Sequence, residues 1–172
     1  MVMIRCAHNK VVPTEDLVPH PRNPNTHPLK QIKLLAKIIK TQGWRAPITV
    51  STLSGFIVRG HARLEAAKLI GCSHCPVDFQ DYDNNAQELA DLVADNKIAE
   101  LAELNIPKVH DLLSELDIGG FDLELAGFGD EEMSELLGQI GGGEAVTLDA
   151  QDEAGQTQPT CRCPKCGFEF AS

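Results

Sequence analysis

Long apolar runs are missing from this 172-residue chain. The longest, such as Leu34-Leu35-Ala36, span a few residues and fall far short of the roughly 20 that a membrane-crossing helix needs. The N-terminal stretch Met1-Val2-Met3-Ile4-Arg5-Cys6 has no apolar region of signal-peptide length. Without an export signal, the six cysteines read as thiols or metal ligands and not as a disulfide framework, and the expected address is the cytoplasm. Internal repeats are also lacking. Acidic residues are scarce in residues 1–80, where eleven Lys/Arg face four Asp/Glu, a balance of +7. Basic residues are scarce in residues 81–172, where four Lys/Arg face twenty-one Asp/Glu, a balance of −17, which together make the net −10. Such a split describes one half that seeks anions and another that avoids or mimics them; a solvated acidic helical region is the plainer alternative. At this length, with 42% hydrophobic residues, the chain can bury one core and carry small appendages.

Along the chain, Lys10–Val18 reads as a short strand turning into a loop, and Pro19–Pro28, with four prolines and Asn23 and Asn25, as irregular. Leu29–Gln42 has helical periodicity, with Gly43 as its C-cap. At about 100° per residue, Leu29, Ile32, Leu35, Ala36 and Ile39 share one face. Lys30, Lys33, Lys37 and Lys40 fall in a separate sector of roughly 80°. This basic stripe is either a solvated face or a phosphate contact. Pro47–Leu53 and Phe56–Val58 are β-branched strands joined by Ser54-Gly55. Gly60 interrupts, His61–Ile70 is helical up to Gly71, and Cys75–Phe79 is a further strand. After Asp81 the pattern becomes helical over Ala86–Leu104, Pro107–Leu116 and Asp130–Leu137. Gly141–Pro159 has linker composition.

The segment Val58-Arg59-Gly60-His61-Ala62-Arg63 carries the chemistry. A strand that passes through glycine into a helix leaves the first helical N–H groups without internal partners, at the positive end of the helix dipole. That is an anion site. Glycine lets a ligand approach the backbone, Arg59, His61 and Arg63 add side-chain donors, and the planar Arg63 fork suits phosphate. A structural turn with surface arginines is the competing interpretation.

Gly60-His61-Ala62-Arg63, followed by Leu64-Glu65-Ala66-Ala67-Lys68-Leu69-Ile70-Gly71, resembles the phosphate box of the ParB N-terminal domain, usually Gly-Glu-Arg-Arg leading into an Ala-rich helix. Upstream, Gly43–Val50 resembles that family's first box, where Pro47-Ile48 enters a strand. Downstream, Leu92–Glu100, with Asp95-Asn96, resembles its third, usually Glu-Asn followed by Gln-Arg. The three stand in family order. Beside the acidic helical extension and the zinc-knuckle-like tail that the later residues suggest, the resemblance implies a ParB/sulfiredoxin-like α+β fold, a small mixed sheet with packed helices. It implies CTP or ATP with Mg²⁺ as cofactor: Arg59, Gly60, His61, Arg63, Pro47 and Ile48 would face the nucleotide, and Asp95 and Asn96 would lie near Mg²⁺, which favours a carboxylate plus phosphate oxygens. His61-Ala62 stand in place of Glu-Arg, and Ile98-Ala99 in place of Gln-Arg, so the resemblance alone does not decide CTP preference or hydrolysis. Sulfiredoxins share the fold but place a cysteine inside the phosphate box; here Cys72 follows Gly71, which argues against sulfinic-acid reduction.

The expected organisation is a ParB/sulfiredoxin-like domain over 10–83, an acidic helical extension over 84–140, a linker over 141–159 and a knuckle over 160–172. Cys163-Pro164-Lys165-Cys166-Gly167 has zinc-ribbon spacing, and Cys161 adds a third thiol, so Cys161, Cys163 and Cys166 are candidate Zn²⁺ ligands. The fourth would come from Cys6, from Cys72–Cys75 or from a second subunit. Glu124, Asp130, Glu131, Glu132 and Glu135 make the region 86–140 poorly suited to a groove lined by phosphates. The leading reading is therefore a nucleotide-binding, DNA-associated switch or partner protein in phage, plasmid or chromosome DNA processing, without sequence-specific DNA reading through this chain alone. The wording of residues 95–103 and 119–128 resembles ParB-like proteins of phages and mobile elements, so a DNA methyltransferase or phage protein is an expected partner, alongside a second copy of the chain. Nucleoside triphosphatase activity is the enzymatic expectation. The rivals are a metal-dependent ParB-like nuclease and an interaction protein with a vestigial pocket. His8, His20, His27 and His110 receive no role.

Overall fold

The computed structural model describes residues 2–128 and Glu132, together with the backbone at 160–162 and 169–171. It divides into two compact units, Met1–Ile140 and Gly141–Ser172. In the first unit a five-stranded mixed sheet is built from β1 (Lys10–Pro13), β2 (Val18–Pro19), β3 (Ile48–Ser51), β4 (Phe56–Arg59) and β5 (His74–Gln80), in the order β1-β5-β3-β4-β2. β1 runs antiparallel to β5, β5 parallel to β3, β3 antiparallel to β4, and β4 parallel to β2. The Val18–Pro19 strand departs from the irregular segment that the prolines suggest. It survives because it is two residues long and at the sheet edge, where a missing N–H breaks no central ladder.

The helices are α1 (Leu29–Gln42), α2 (His61–Leu69), α3 (Asn85–Glu100) and α4 (Ile106–Ile118). The apolar stripe of α1 behaves as its spacing predicts: Ile32, Ala36 and Ile39 are buried, whereas Leu29 at the helix start is exposed. α1 packs on α2, whose Ala66 and Ala67 are buried; small residues there let the two helices approach closely. Both join a core with Ile48, Val50, Ile57 and Val77. The register pairs Ile48 with Val77 and Val50 with Ile57, which puts these side chains on one face. Ser51 follows Val50 and so points to the opposite face, where Glu88 of α3 accepts its hydroxyl hydrogen at 2.6 Å. α3 and α4 each start at an asparagine whose side chain accepts from backbone N–H groups, Asn84 and Asn105. α3 ends at Glu100, short of the predicted Leu104.

The remaining expectations for the C-terminal region lie largely outside the described residues: the helix over Asp130–Leu137 apart from Glu132, the linker over 141–159, and Cys163 and Cys166. In the second unit, β6 (Thr160–Arg162) and β7 (Glu169–Ala171) pair antiparallel, with Cys161 opposite Phe170. No helix among the described residues is long and apolar enough to cross a membrane.

Leu64 anchors α2 to the core and is fully buried. Leu64→Ala is expected to lower the unfolding free energy by about 2–5 kcal/mol, measured by chemical denaturation. A loss well under 1 kcal/mol would contradict this packing.

Candidate functional site

β4 reaches α2 through Gly60, whose φ of +93° lies in the left-handed region. This conformation favours glycine, and an added Cβ would also sit 3.0 Å from Arg63 Nη1, close enough to press on the guanidinium, and 3.5 Å from the Ile48 Cα. The first bond of the helix runs from the Leu64 N–H to the Gly60 carbonyl at 3.1 Å. No side chain caps this helix start, in contrast to α3 and α4. Arg63 folds back, and its Nη1 donates to the Pro47 carbonyl at 2.8 Å. The first turn of α2 is thereby tied to the point where the chain enters β3.

A cavity of about 230 Å³ opens at this turn. Arg59, Gly60, His61 and Arg63 line it from β4 and α2, and Asp95 and Asn96 line it from α3. Six of the residues singled out from sequence are thus brought together. Pro47 and Ile48 stand behind them, Pro47 through its carbonyl and Ile48 as a fully buried support under Gly60. Asn25, His27 and Gln31 complete the lining from the chain before α1 and its first turn. Sequence reasoning missed these three; the Asn/Pro-rich composition of the loop is a signal for Asn25 and His27 alone, since Gln31 is in α1.

The charges are already partly matched. Arg59 donates through Nε to Asp91 Oδ2 at 3.2 Å and through Nη2 to Asp91 Oδ1, and its Nε lies 3.6 Å from Asp95 Oδ1. Tyr82 donates its hydroxyl to Asp91 Oδ2 at 2.7 Å. Burial works to raise the Asp91 carboxyl, but the hydrogen bonds from Arg59 and Tyr82 outweigh it and hold the group below the ordinary carboxylate value. The same Asp91 bonds raise Arg59. Burial lowers Arg63, opposed by nearby Asp95, although a guanidinium keeps its charge in proteins. Asn96 donates Nδ2 to the Leu92 carbonyl at 3.3 Å, which leaves its amide oxygen as the group that can face a cation.

His61 is positioned by a buried network that the sequence did not disclose. Its Nε2 accepts the His20 backbone N–H at 3.2 Å, so its ring hydrogen resides on Nδ1. His20 Nδ1 in turn accepts from the Arg22 N–H at 3.1 Å, and His20 Nε2 lies 3.3 Å from Glu88 Oε1. Glu88 is fully buried and also accepts from Ser51 at 2.6 Å and Ser54 at 2.7 Å. Burial, then the neighbouring His27 and His20, push His61 from its ordinary 6.5 down to about 4. The ring is therefore a neutral donor at physiological pH.

Larger clefts exist, one of about 710 Å³ beside Arg5, Lys40 and Gly43. It lies at the C-terminal end of α1, where the helix dipole is negative, so the smaller cavity is the better anion site. Among the described residues no three His, Cys, Asp or Glu side chains converge as a metal site. Cys6, Cys72 and Cys75 are free thiols. Cys75 is buried beside the Thr14 hydroxyl at 3.3 Å, and its burial raises it. The side chains of Cys161, Cys163 and Cys166 lie outside the described residues.

No protein-family model matches the chain. Among curated proteins, it is 34% identical over 65 residues to the ParB-like nuclease domain-containing protein YnaK of Escherichia coli (strain K12), which covers 38% of this chain and 74% of that protein. Among solved structures, it resembles the C-terminally truncated chromosome-partitioning protein ParB from Caulobacter crescentus, solved in complex with CTP-gamma-S. The TM-score is 0.55 at 20% identity, covering 76% of this chain and 85% of that one. At that identity the likeness is one of fold: the mixed sheet with its helices is the ParB N-domain arrangement.

Two outcomes follow from the network. Glu88→Ala leaves Ser51 and Ser54 without their acceptor and His20 without its neighbouring carboxylate, and is expected to cost about 3 kcal/mol or more, read from denaturation curves; a neutral substitution would contradict the burial described. His61 has a depressed folded-state value, so between pH 6.5 and 4 the unfolded chain binds the extra proton. Its contribution is complete above pH 6.5 and is lost as pH falls through about 4. Over that window the melting temperature of the native chain should fall more steeply than that of His61→Gln; parallel profiles would refute a neutral, buried His61.

Proposed function

The chain belongs to the family of ParB-like nuclease domain proteins, and from that premise we propose that it is a nucleotide-binding, DNA-associated module whose Gly60 turn holds the phosphates of a nucleoside triphosphate. The observation that carries this reading is the uncapped start of α2 at a left-handed glycine, with Arg63 locked beside it by the Pro47 carbonyl. A helix N-terminus with a rigid guanidinium offers a phosphate both directed N–H donors and a fixed positive charge. The cavity, about 230 Å³, is smaller than the ~300–1,000 Å³ usual for a complete drug-sized ligand. It suits the phosphate end, and the nucleoside would extend along the loop of Asn25 and His27.

Asp95 and the Asn96 amide oxygen fit a Mg²⁺ ion bound mainly through phosphate oxygens, because one carboxylate beside a phosphate is the usual protein share of such a site. Arg59 is held by Asp91 and lies near Asp95, so an arriving phosphate competes with carboxylates for this guanidinium. Neutral His61 donates from Nδ1, adding a donor without a charge. CTP is the favoured nucleotide, because the fold neighbour was solved with its thio analogue, with ATP as the second choice. Hydrolysis of the triphosphate is a further part of the proposal.

The DNA association draws on the basic α1 and on the names of the curated relative and the fold neighbour. Participation in phage, plasmid or chromosome DNA processing, a methyltransferase or phage partner, and self-association as a dimer belong to this reading on the strength of the sequence motifs. So do the sulfiredoxin relationship, the boundaries of the extension and linker, and Zn²⁺ at Cys161, Cys163 and Cys166. A nuclease is the second reading, favoured by the name of the curated relative. The carboxylates nearest the cavity, Asp91 and Asp95, are directed at Arg59 and not at each other, which is a poor start for a two-metal site.

Isothermal titration with CTP, ATP and GTP in the presence of Mg²⁺ is expected to give saturable heat for at least one. Arg63→Ala should weaken it by about tenfold to a hundredfold, and Arg63→Lys, which keeps the charge but loses the fork, should recover only part. Absence of heat and of thermal stabilisation with all three nucleotides would overturn the proposal. Conversion of supercoiled plasmid by the pure chain with Mg²⁺ or Mn²⁺ would favour the nuclease reading instead.

A further inference from the structure

Among the described residues, a short turn after α4 brings the acidic second half of the chain onto the basic helix. Residues Leu123–Ala126 form a short 3₁₀ turn whose entry is capped by Asp122, with its Oδ1 accepting the Glu124 N–H at 3.2 Å. The other Asp122 oxygen lies 2.8 Å from Lys37 Nζ, and Glu124 takes the same ammonium. Gln42 Nε2 donates to the Leu125 carbonyl at 3.3 Å, and the Leu125 side chain is buried. The turn is therefore docked on α1 by two carboxylates, one amide and one apolar anchor. The hydrogen bond to Asp122, then that to Glu124, raises Lys37, and Lys37 in return lowers Asp122.

Two carboxylates closing on one lysine from a helical basic stripe reproduce what a phosphodiester group presents to such a lysine: a pair of anionic oxygens. Lys33 and Lys40, on the same stripe, are exposed, and neighbours three or four residues apart lie close enough to act on one polyanion. Lys37 is only partly covered, with 38% of its side chain accessible, and ion pairs at such exposure are weak enough to exchange. We propose that the Lys33–Lys37–Lys40 face of α1 binds the phosphate backbone of duplex DNA, and that the Asp122–Leu125 turn is a resident competitor that occupies Lys37 until DNA displaces it. The inference shares the DNA association of the proposed function and is independent of the nucleotide cavity. It gives the charge division of the chain a physical purpose: the acidic region lowers non-specific affinity for DNA by substituting for it.

The test uses the full chain, a labelled duplex of about 20 base pairs, and fluorescence anisotropy at several salt concentrations. Asp122→Asn/Glu124→Gln should tighten binding by at least about threefold and steepen the dependence of log K on log salt by about one, the share of one extra phosphate contact. Lys37→Gln releases the same turn but removes the cation, so it should show no gain, and Lys33→Gln/Lys40→Gln should weaken binding. Glu103→Gln/Asp111→Asn removes the same net charge away from α1 and should leave affinity within about twofold of the native chain. Equal gains from both acid-to-amide pairs would overturn the proposal by reducing the effect to net charge. Unchanged affinity in Asp122→Asn/Glu124→Gln would overturn the competitor while duplex binding by the native chain persists, and no duplex binding by any variant at low salt would remove the basic face itself. None of these results bears on the nucleotide titration.

Discussion

The structure turns on the bond between the Arg63 guanidinium and the Pro47 carbonyl, made possible by the left-handed glycine three residues earlier. Gly60 redirects the chain from β4 into α2 without a capping side chain. Arg63 then reaches across the turn to the entry of β3. A residue with a Cβ at position 60 would meet that guanidinium at 3.0 Å, so the glycine and the arginine are one device. It orders the helix start, holds a positive charge next to open N–H groups, and fixes the distance between the two segments that resemble the first two family boxes.

Around this device the remaining groups divide into those that support and those that compete. Buried Glu88, His20 and Ser51 form a network on the far face of the sheet that reaches Ser54 at the surface, and its last link is the His20 N–H that fixes the His61 ring. A buried carboxylate with donors on both oxygens is stable only while every partner stays in place, so this network ties α3 to the β2–α1 loop and to α2. Asp91 and Asp95, by contrast, balance Arg59, Asp95 as part of the cavity lining. The same pairing principle recurs at Lys37, held by Asp122 and Glu124. In both places carboxylates meet the cations that a phosphate would seek.

Much of this was legible in the residues. Period-2 runs rich in β-branched residues marked β3 and β4, the 3.6-residue spacing of Ile32, Ala36 and Ile39 marked α1, and the Gly-His-Ala-Arg turn marked the cavity. The parts that were not legible depend on contacts between residues far apart in sequence. His20 looked isolated because its partner Glu88 is 68 positions away, on a helix whose composition suggests a solvated surface. The pairing of Arg59 with Asp91, 32 positions on, has no local signal. Asn25 and His27 belong to a proline-rich loop with no periodic signal, and Gln31 is a polar position in the first turn of α1, so nothing local points any of the three at the cavity. Local chemistry is written in short motifs, whereas charge matching across elements appears only when the sheet order is known.

The central claim is that the first turn of α2 is a working phosphate cradle. Its most direct test is a two-dimensional amide NMR titration of the full chain with CTP and Mg²⁺. The account predicts that the largest shifts fall on the backbone N–H groups of Gly60, His61, Ala62 and Arg63, with smaller ones at Asp95 and Asn96. A spectrum in which those amides stay in place, while resonances elsewhere move or none do, would contradict it.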